Sequence, residues 1–326
     1  MHLLQNGLPK SGNYWLFNIL TLLLNAARLP DRNFIAEHPI QAAAKNWTLS
    51  YPEQPRLNVL DIEPGHNFYR IGSYFREPIE DLQDYIAQNR LVWTHSRHIP
   101  ESERVYDAFD KIVYIIRDPR DVAISMANFA FTPYRQKTEH FPFSDASEYL
   151  QAYYVKHLSG WTQHVGSHLL ALPRKNMHIL FYERLKEDFD SELSQLINFL
   201  GLNVSSKQRA EIADQVTVAS MKKKSSGHVR SGSAGGWRNV LSSGQIRLAR
   251  LIAGELMDEL DYPLRVKDAS LPTLPRELSR KRIKRSMRKG VIARGVNMAR
   301  LSAGYLTKID KPKKATQDQR VEVSHS

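Results

Sequence analysis

The fold is decided by the stretch Gln5-Asn6-Gly7-Leu8-Pro9-Lys10-Ser11-Gly12-Asn13-Tyr14-Trp15, a turn rich in glycine and proline with a single lysine. Two leucines precede the turn, and apolar residues at helical spacing follow it from Trp15 to Leu23. A strand, a loop of small residues and a helix start together present backbone N–H groups to an anion. Because Lys10 comes before Gly12, the order differs from that of a Walker loop. The stretch therefore predicts a phosphate or sulfate site of a different type.

Two other interpretations of this segment stay open. The first is a signal peptide, in which Lys10 precedes the apolar run from Leu16 to Leu24. Against it, Lys10 stands ten residues into the chain, Asn18 and Thr21 interrupt the run, and the run is too short to cross a bilayer. The second is an ordinary strand, turn and helix that bind no ligand.

The basic charge is concentrated near the C-terminus. The chain has 326 residues and a formal net charge of +12, and from Pro275 onward it carries 15 Lys and Arg against 4 Asp and Glu. We therefore predict one domain over residues 1–268 and a basic tail over residues 269–326, partly helical or disordered. The absence of cysteine excludes disulfides and thiolate metal sites. The default expectation is a soluble cytoplasmic protein.

Short apolar runs alternate with helical patterns along the chain. Runs rich in β-branched and aromatic residues stand at 91–94, 112–116 and 177–182. This alternation predicts an α/β fold with a central parallel sheet flanked by helices. Between Pro30 and Asn89, prolines and aromatic residues break the pattern, and we expect long loops over the site there.

A second constellation follows the strongest predicted strand, where Arg117 is separated by eight residues from Ser125. Open α/β sheets bind their ligands at this end of the strands, and a guanidinium with a hydroxyl suits a phosphate. The alternative is a turn in which Asp118 and Asp121 cap a helix. A third constellation, Arg230-Ser231-Gly232-Ser233-Ala234-Gly235-Gly236-Trp237, has the composition of a flexible linker but also suits a loop that wraps an anion.

The three segments together resemble the sulfotransferases that use 3′-phosphoadenosine 5′-phosphosulfate (PAPS). The stretch from Lys10 to Trp15 is similar to the 5′-phosphosulfate loop of that family, and Arg117 with Ser125 to its 3′-phosphate motif. The segment 181–186 and the residues Arg230 to Trp237 resemble two further motifs in the family's order. The resemblance covers residues 1 to about 265 and implies the three-layer architecture that these enzymes share with P-loop NTPases.

The resemblance also implies roles for individual residues. Lys10 would stabilise the leaving group, and Trp15 and Tyr182 would contact the adenine. Backbone N–H groups of the loop would hold the 5′-phosphate, and a second group of residues would hold the 3′-phosphate. The loop residues are Ser11, Gly12, Asn13 and Tyr14, and the 3′-phosphate residues are Arg117, Ser125, Arg230, Ser231 and Gly232. The implied product is adenosine 3′,5′-bisphosphate (PAP), and no metal is expected.

The predicted general base is His95, which follows the short strand 91–94 at the place where the family has a histidine. An imidazole suits this role because its ordinary pKa lies near the working pH. His98, Glu63 and His66 are alternatives. Several positions depart from the family's pattern: Trp93, Asn13, Tyr14, Ser231 and Gly236 replace its usual lysine, threonines, lysine and aspartate.

The sequence thus predicts transfer of a sulfuryl group from PAPS to a hydroxyl or amine of a small molecule, lipid or saccharide. Aromatic residues in the segments 30–90 and 130–160 are candidates for the acceptor pocket: Trp47, Tyr51, Phe68, Tyr69, Tyr74, Phe75, Phe129, Phe131 and Tyr134. A P-loop kinase that uses ATP and Mg²⁺ is the alternative enzyme. A further hypothesis is that the basic tail binds a membrane surface or nucleic acid.

Overall fold

We describe a computed structural model that covers residues 1–224 and 232–309. Seven strands form one sheet in this part of the chain. They are β1 (Leu3–Asn6), β2 (Val59–Glu63), β3 (His66–Ile71), β4 (Phe75–Pro78), β5 (Leu91–Thr94), β6 (Lys111–Ile116) and β7 (Met177–Phe181). Their order is β4-β3-β2-β5-β1-β6-β7. Five neighbouring strands run parallel, in the order β2, β5, β1, β6 and β7. At one edge of the sheet β3 pairs antiparallel with β2, and β4 pairs antiparallel with β3.

Helices cover both faces of the sheet. The helices of the first half are α1 (Asn13–Ala26), α2 (Phe34–Glu37), α3 (Gln41–Ala44), α4 (Leu82–Ala87), α5 (Ser102–Asp107), α6 (Pro119–Ala130), α7 (Pro133–Thr138) and α8 (Ala146–Leu170). Those of the second half are α9 (Tyr182–Glu187), α10 (Phe189–Leu200), α11 (Ser206–Gln215), α12 (Val218–Lys224), α13 (Trp237–Val240), α14 (Ser243–Glu259) and α15 (Arg280–Ile309). Gln54–Arg56 form one 3₁₀ turn.

The alternation of side chains along the buried strands creates two cores. Leu4, Val92 and Ile112 belong to an apolar cluster with residues of α8 and α14, whereas Leu3 and Val113 belong to a cluster with residues of α1 and α10. Successive residues of a strand point to opposite faces, so each central strand contributes to both clusters. This three-layer α/β arrangement confirms the predicted fold class.

The segment that we expected to form long loops contains β2, β3 and β4. The turn Pro64-Gly65 joins β2 to β3, and Pro78 ends β4 at the sheet edge, where proline interrupts no ladder. We expected loops because proline interrupts strands, but Pro64 and Pro78 stand at the ends of strands and not inside them. The turn pair and the alternating pattern before it are the local signal that the prediction missed.

The helix α15 lies in the predicted basic tail and packs against α8 and α14. Ile283 is fully buried and belongs to the same apolar cluster as the sheet residues Leu4 and Val92. On the side toward α14, Arg282 pairs with Glu259 and Lys289 pairs with Glu255. The division of the chain at residue 268 stays a prediction, but the described part of α15 is joined to the domain by both packing and charge.

Gly290 provides a test of this packing. A Cβ at Gly290 would overlap Thr162 Oγ1 and lie 3.3 Å from Ser159 Cα, whereas a Cβ at Gly295, on the same helix, meets nothing within 4 Å. We expect Gly290→Ala to lower the free energy of unfolding by about 1–3 kcal/mol, because α8 and α15 must move apart. Gly295→Ala is the control, and should raise that free energy by up to about 1 kcal/mol. Equal effects in urea titrations would show that α15 does not depend on close contact with α8.

Candidate active site

The loop after β1 has the geometry of an anion cradle. Gly12, directly before α1, has a φ of 100°, and Lys10 has a φ of 71°. Among residues 1–224 and 232–309, no side chain caps α1, and its first helical hydrogen bond runs from Leu16 N to Gly12 O. The N–H groups of residues 13–15 therefore have no partner within the helix. Uncapped N–H groups and the positive end of the helix dipole together favour an anion.

A cavity of about 630 Å³ opens beside this loop. It is lined by most of the residues that the sequence placed at the site, namely Lys10, Gly12, Asn13, Tyr14, Trp15, His95, Arg117, Ser125, Tyr182 and Gly232. Ser11 is buried and does not line the cavity. Arg230 and Ser231 lie outside the described residues. The fold therefore brings the first two constellations and the described part of the third to one site.

Burial dominates the electrostatics of Lys10. Its Nζ lies 4.1 Å from the centre of the Phe129 ring. Burial, and then the charge of Arg117, lower the pKa of Lys10 to about 7. Near pH 7 this lysine is therefore close to the point where it loses its proton, and an anionic ligand would favour the charged form.

Arg117 joins the two loops that face each other across the site. Its Nη1 donates to Lys10 O at 3.0 Å and its Nη2 donates to Ser233 O at 2.9 Å. The guanidinium carbon lies 4.2 Å from the centre of the Tyr182 ring. Arg117 Nε is buried and has no hydrogen-bond partner among the described residues. The side chain is thus fixed in place with one donor still unsatisfied.

Asp121 fixes the C-terminal loop and was missed as a site residue, because the sequence suggested only a helix cap. Its carboxylate accepts hydrogen bonds from Gly235 N at 2.7 Å and Trp237 N at 2.8 Å. Burial, and then the charge of Asp118, raise the pKa of Asp121. The described part of this loop, whose composition is typical of a linker, is held against α6 by a buried carboxylate.

The backbone around His95 sets the tautomer of the ring. Its Nδ1 lies 2.5 Å from Gly7 O, and because a carbonyl oxygen only accepts, Nδ1 carries the proton. Nε2 is left with its lone pair, as a general base requires. Burial lowers the pKa of His95 to about 3, so that the ring is neutral at ordinary pH. His164 Nε2 donates to the backbone carbonyl of His95 at 3.2 Å, and the Tyr114 hydroxyl donates to His164 Nδ1 at 2.8 Å.

The three alternative bases do not line the cavity. His98 Nε2 lies 2.9 Å from the Glu103 carboxylate. Glu63 is exposed and pairs with Arg76 at 2.5 Å. His66 is exposed at the start of β3. Of the four candidates, His95 is therefore the one that reaches the cavity.

The residues that depart from the family's pattern have other uses. Asn13 Nδ2 donates to Leu8 O at 2.8 Å, which braces the loop from within. The Tyr14 hydroxyl donates to Glu53 at 2.9 Å, and its ring packs 4.4 Å from that of Tyr51. At the other end of the cavity, Trp15 lies edge-on to Tyr182 with the ring centres 5.6 Å apart. The side chains of Asn13 and Tyr14 thus brace the loop and shape the cavity.

Comparison with known proteins identifies the family. A family model described as "Sulfotransferase domain" matches residues 2–261. The chain belongs to the sulfotransferase family. This confirms the resemblance and the class of enzyme that the motifs indicated.

Relatives and solved structures agree with this membership. Cytosolic sulfotransferase 12 of Arabidopsis thaliana is 26% identical over 253 residues, which are 72% of this chain and 70% of that protein. Human sulfotransferase 6B1 is 25% identical over 247 residues, with 72% and 69% covered. Mouse SULT7A1, crystallised with PAP, has a TM-score of 0.54 at 23% identity and 79% and 85% coverage. Retinol dehydratase with retinol and PAP has a TM-score of 0.55 at 19% identity and 82% coverage of both chains. These two likenesses show the fold.

Much of the cavity wall in this sulfotransferase is aromatic. Of the aromatic residues proposed from the sequence, Tyr51, Phe129 and Tyr134 line it. Tyr69 instead packs in the main core beside Phe75. The sequence did not point to Trp93 as a wall of the cavity, nor to Phe141, Tyr149 and Arg70. These four come from separate elements, so no local pattern could have grouped them.

Within residues 1–224 and 232–309, no three histidine or acidic side chains lie close enough together to hold a metal ion. In the same ranges, no helix has the length and apolar character needed to cross a bilayer.

The cradle depends on Gly12. A Cβ there would lie 2.5 Å from Tyr182 Cδ2, on a backbone with a φ of 100°. Gly65, with a φ of 82°, has no neighbour within 4 Å of its Cβ position, so Gly65→Ala is a control for backbone strain alone. We expect Gly12→Ala to weaken PAP binding at least about tenfold, because about 1–3 kcal/mol of strain falls on the loop. Gly65→Ala should lower only the free energy of unfolding. Calorimetry that shows equal PAP affinity in both variants would contradict this role of the loop.

Proposed function

We propose that this protein transfers a sulfuryl group from PAPS to a hydroxyl or amine of an acceptor, with His95 as the general base. The observation that carries the proposal is the position of His95, Lys10 and Arg117 on one cavity beside an uncapped helix start. PAPS is an anion on both its 5′ and 3′ sides, and the site offers donors on both. Membership of the sulfotransferase family and the PAP-bound structures of similar fold support the same donor.

The residues suit the two sides of the donor. The N–H groups of residues 13–15 and the ammonium of Lys10 would hold the 5′-phosphosulfate. Arg117, with its unsatisfied Nε, and Ser125 would hold the 3′-phosphate, and we keep Arg230, Ser231 and Gly232 in the same role. Trp15 and Tyr182 would contact the adenine.

The chemistry requires a base on one side of the sulfur and a cation on the other. His95 Nε2 takes the proton of the acceptor hydroxyl as the acceptor oxygen bonds to sulfur. Lys10 stabilises the charge that builds on the oxygen that leaves with PAP. The carbonyls of Gly7 and Lys10 orient His95 and Arg117, so that the loop itself positions the reacting groups.

The acceptor is an organic alcohol or amine, and the aromatic wall favours a molecule with an apolar body. Retinol dehydratase, of similar fold, is known in a complex with retinol. A lipid or a saccharide acceptor stays within the proposal. So does contact of the basic C-terminal segment with a membrane surface, for which Lys281, Lys284 and Arg288 lie exposed on α15.

The proposal is tested by transfer of labelled sulfate from PAPS to a panel of alcohols, phenols and amines. We expect His95→Ala to lower kcat by about 10²–10⁴ with PAP affinity nearly unchanged, since the base acts on the acceptor. His98→Ala is the control, because His98 lies three residues away and does not line the cavity. Loss of transfer in the His98 variant with full transfer in the His95 variant would refute the assignment.

The pH dependence of PAP binding tests Lys10 separately. Its pKa is about 7 without a ligand, so above pH 7 the lysine must take up a proton when PAP binds. PAP affinity should therefore fall as pH rises from 7.5 to 9, by up to about tenfold per unit. Calorimetry in buffers of different ionisation enthalpy would count the proton. In Lys10→Met, affinity should be lower and flat over this range; an unchanged slope would locate the titrating group elsewhere.

A further inference from the structure

An arginine of the strand β3, Arg70, lines the cavity. In the sheet, Arg70 lies opposite Val59, and Val59 lies beside Trp93 in β5. Partners across neighbouring strands share a face, and two strand spacings place the Cα atoms of Arg70 and Trp93 about 10 Å apart. Arg70, Trp93 and His95 line the same cavity. The side chain of Arg70 therefore brings a cation to the cavity that His95, the proposed base, also lines.

The guanidinium is held by two hydrogen bonds. Arg70 Nε donates to Asp61 Oδ1 at 2.9 Å, and Nη1 donates to Gly72 O at 3.1 Å. Ser73 follows Gly72 in the chain, and its N–H donates to the Tyr134 hydroxyl at 3.0 Å. Ser73 and Tyr134 both line the cavity. This part of the wall is thus built in advance, and a ligand would meet a fixed guanidinium.

The cavity lining carries more positive than negative charge, although the charges beside Arg70 balance, because Asp61 pairs with Arg70 and Arg76 and Glu63 pairs with Arg76. The Asp61 carboxylate is shared, because its second oxygen accepts from Arg76 Nε at 3.3 Å. Among the described residues that line the cavity, the cations are Lys10, Arg70, Arg117, Arg135 and Lys186, and the acid is Asp121. Asp121 is already engaged by two N–H groups of the C-terminal loop. Burial is the main cause of the low pKa of His95, and the positive charge of Arg70 lowers that pKa further.

We propose that Arg70 binds an anionic group of the acceptor, so that the substrates are alcohols or phenols that also carry a carboxylate or a sulfate. This inference rests on the proposed function and names the acceptor class of that site. A planar anion gains charge-assisted hydrogen bonds from a guanidinium already held in place. The aromatic residues between Arg70 and His95 contact the body of the molecule, and its hydroxyl faces His95.

A paired control comes from the sheet itself. Arg76 lies opposite Arg70 in β4 and shares Asp61 with it, but Arg76 does not line the cavity. Arg76→Met therefore removes a partner of Asp61 and leaves the cavity intact. Arg70→Met removes a partner of the same carboxylate together with the cation that faces the acceptor.

The experiment compares phenols that carry a carboxylate on arms of one to three carbons with their methyl esters, using PAPS as donor. We expect wild type and Arg76→Met to favour the acids by at least about tenfold in kcat/KM, as a built polar site does. Arg70→Met should lose this preference, and its kcat/KM for the esters serves as the reference, because loss of the Arg70 charge also acts on His95. A phenol with a sulfate ester on the arm should behave as the acids do.

Several results would overturn the inference. Equal kcat/KM for acids and esters in wild type would do so, and so would an unchanged preference in Arg70→Met. Equal losses in both variants would show that Arg70 only supports the sheet through Asp61. If no acceptor receives sulfate, the proposed function fails instead. Calorimetric binding of the acids to the PAP complex then gives the comparison without turnover, and binding that does not depend on Arg70 would overturn the inference.

Discussion

The tight turn of residues 7–12 is the constraint on which the rest of the site depends. Its N–H groups and the start of α1 form the anion cradle, but its carbonyls matter as much. Gly7 O fixes the ring of His95, and Lys10 O fixes Arg117. One short loop therefore sets the geometry of the proposed donor site, of His95 as the proposed base and of Arg117 together. Backbone carbonyls serve this purpose well, because their positions do not depend on rotamers.

The same loop explains how the site handles charge. Burial keeps His95 neutral, and it holds the pKa of Lys10 at about 7 beside Arg117. The repulsion between the charges of Lys10 and Arg117 is relieved when Lys10 loses its proton. A donor with two anionic ends restores that proton and is bound the more tightly for it. The site is thus arranged for an anionic ligand, at the cost of a lysine that is less basic when the site is empty.

The C-terminal parts of the chain are attached by buried contacts. Asp121 accepts two N–H groups of the loop that begins at Gly232, and Arg117 reaches Ser233 in the same loop. Further on, α15 closes over α8 at Gly290 and buries Ile283. Composition alone makes both segments look separate from the domain, because glycine, serine and basic residues are typical of linkers and tails. Their attachment depends on a few side chains of other elements.

The sequence by itself determined the fold class, the donor loop, the Arg117 and Ser125 pair and the choice of His95 as a candidate base. The first three are local patterns: a period along a strand, a turn composition or a fixed spacing, whereas the choice of His95 came from the resemblance to the family. Tertiary structure decided what local patterns do not contain. It placed β2, β3 and β4 where prolines suggested loops, set the tautomer of His95 through Gly7, and brought Asp121 to the C-terminal loop. It also brought Arg70 to the wall of the cavity that His95 lines, because cross-strand register, and not sequence distance, determines which side chains meet.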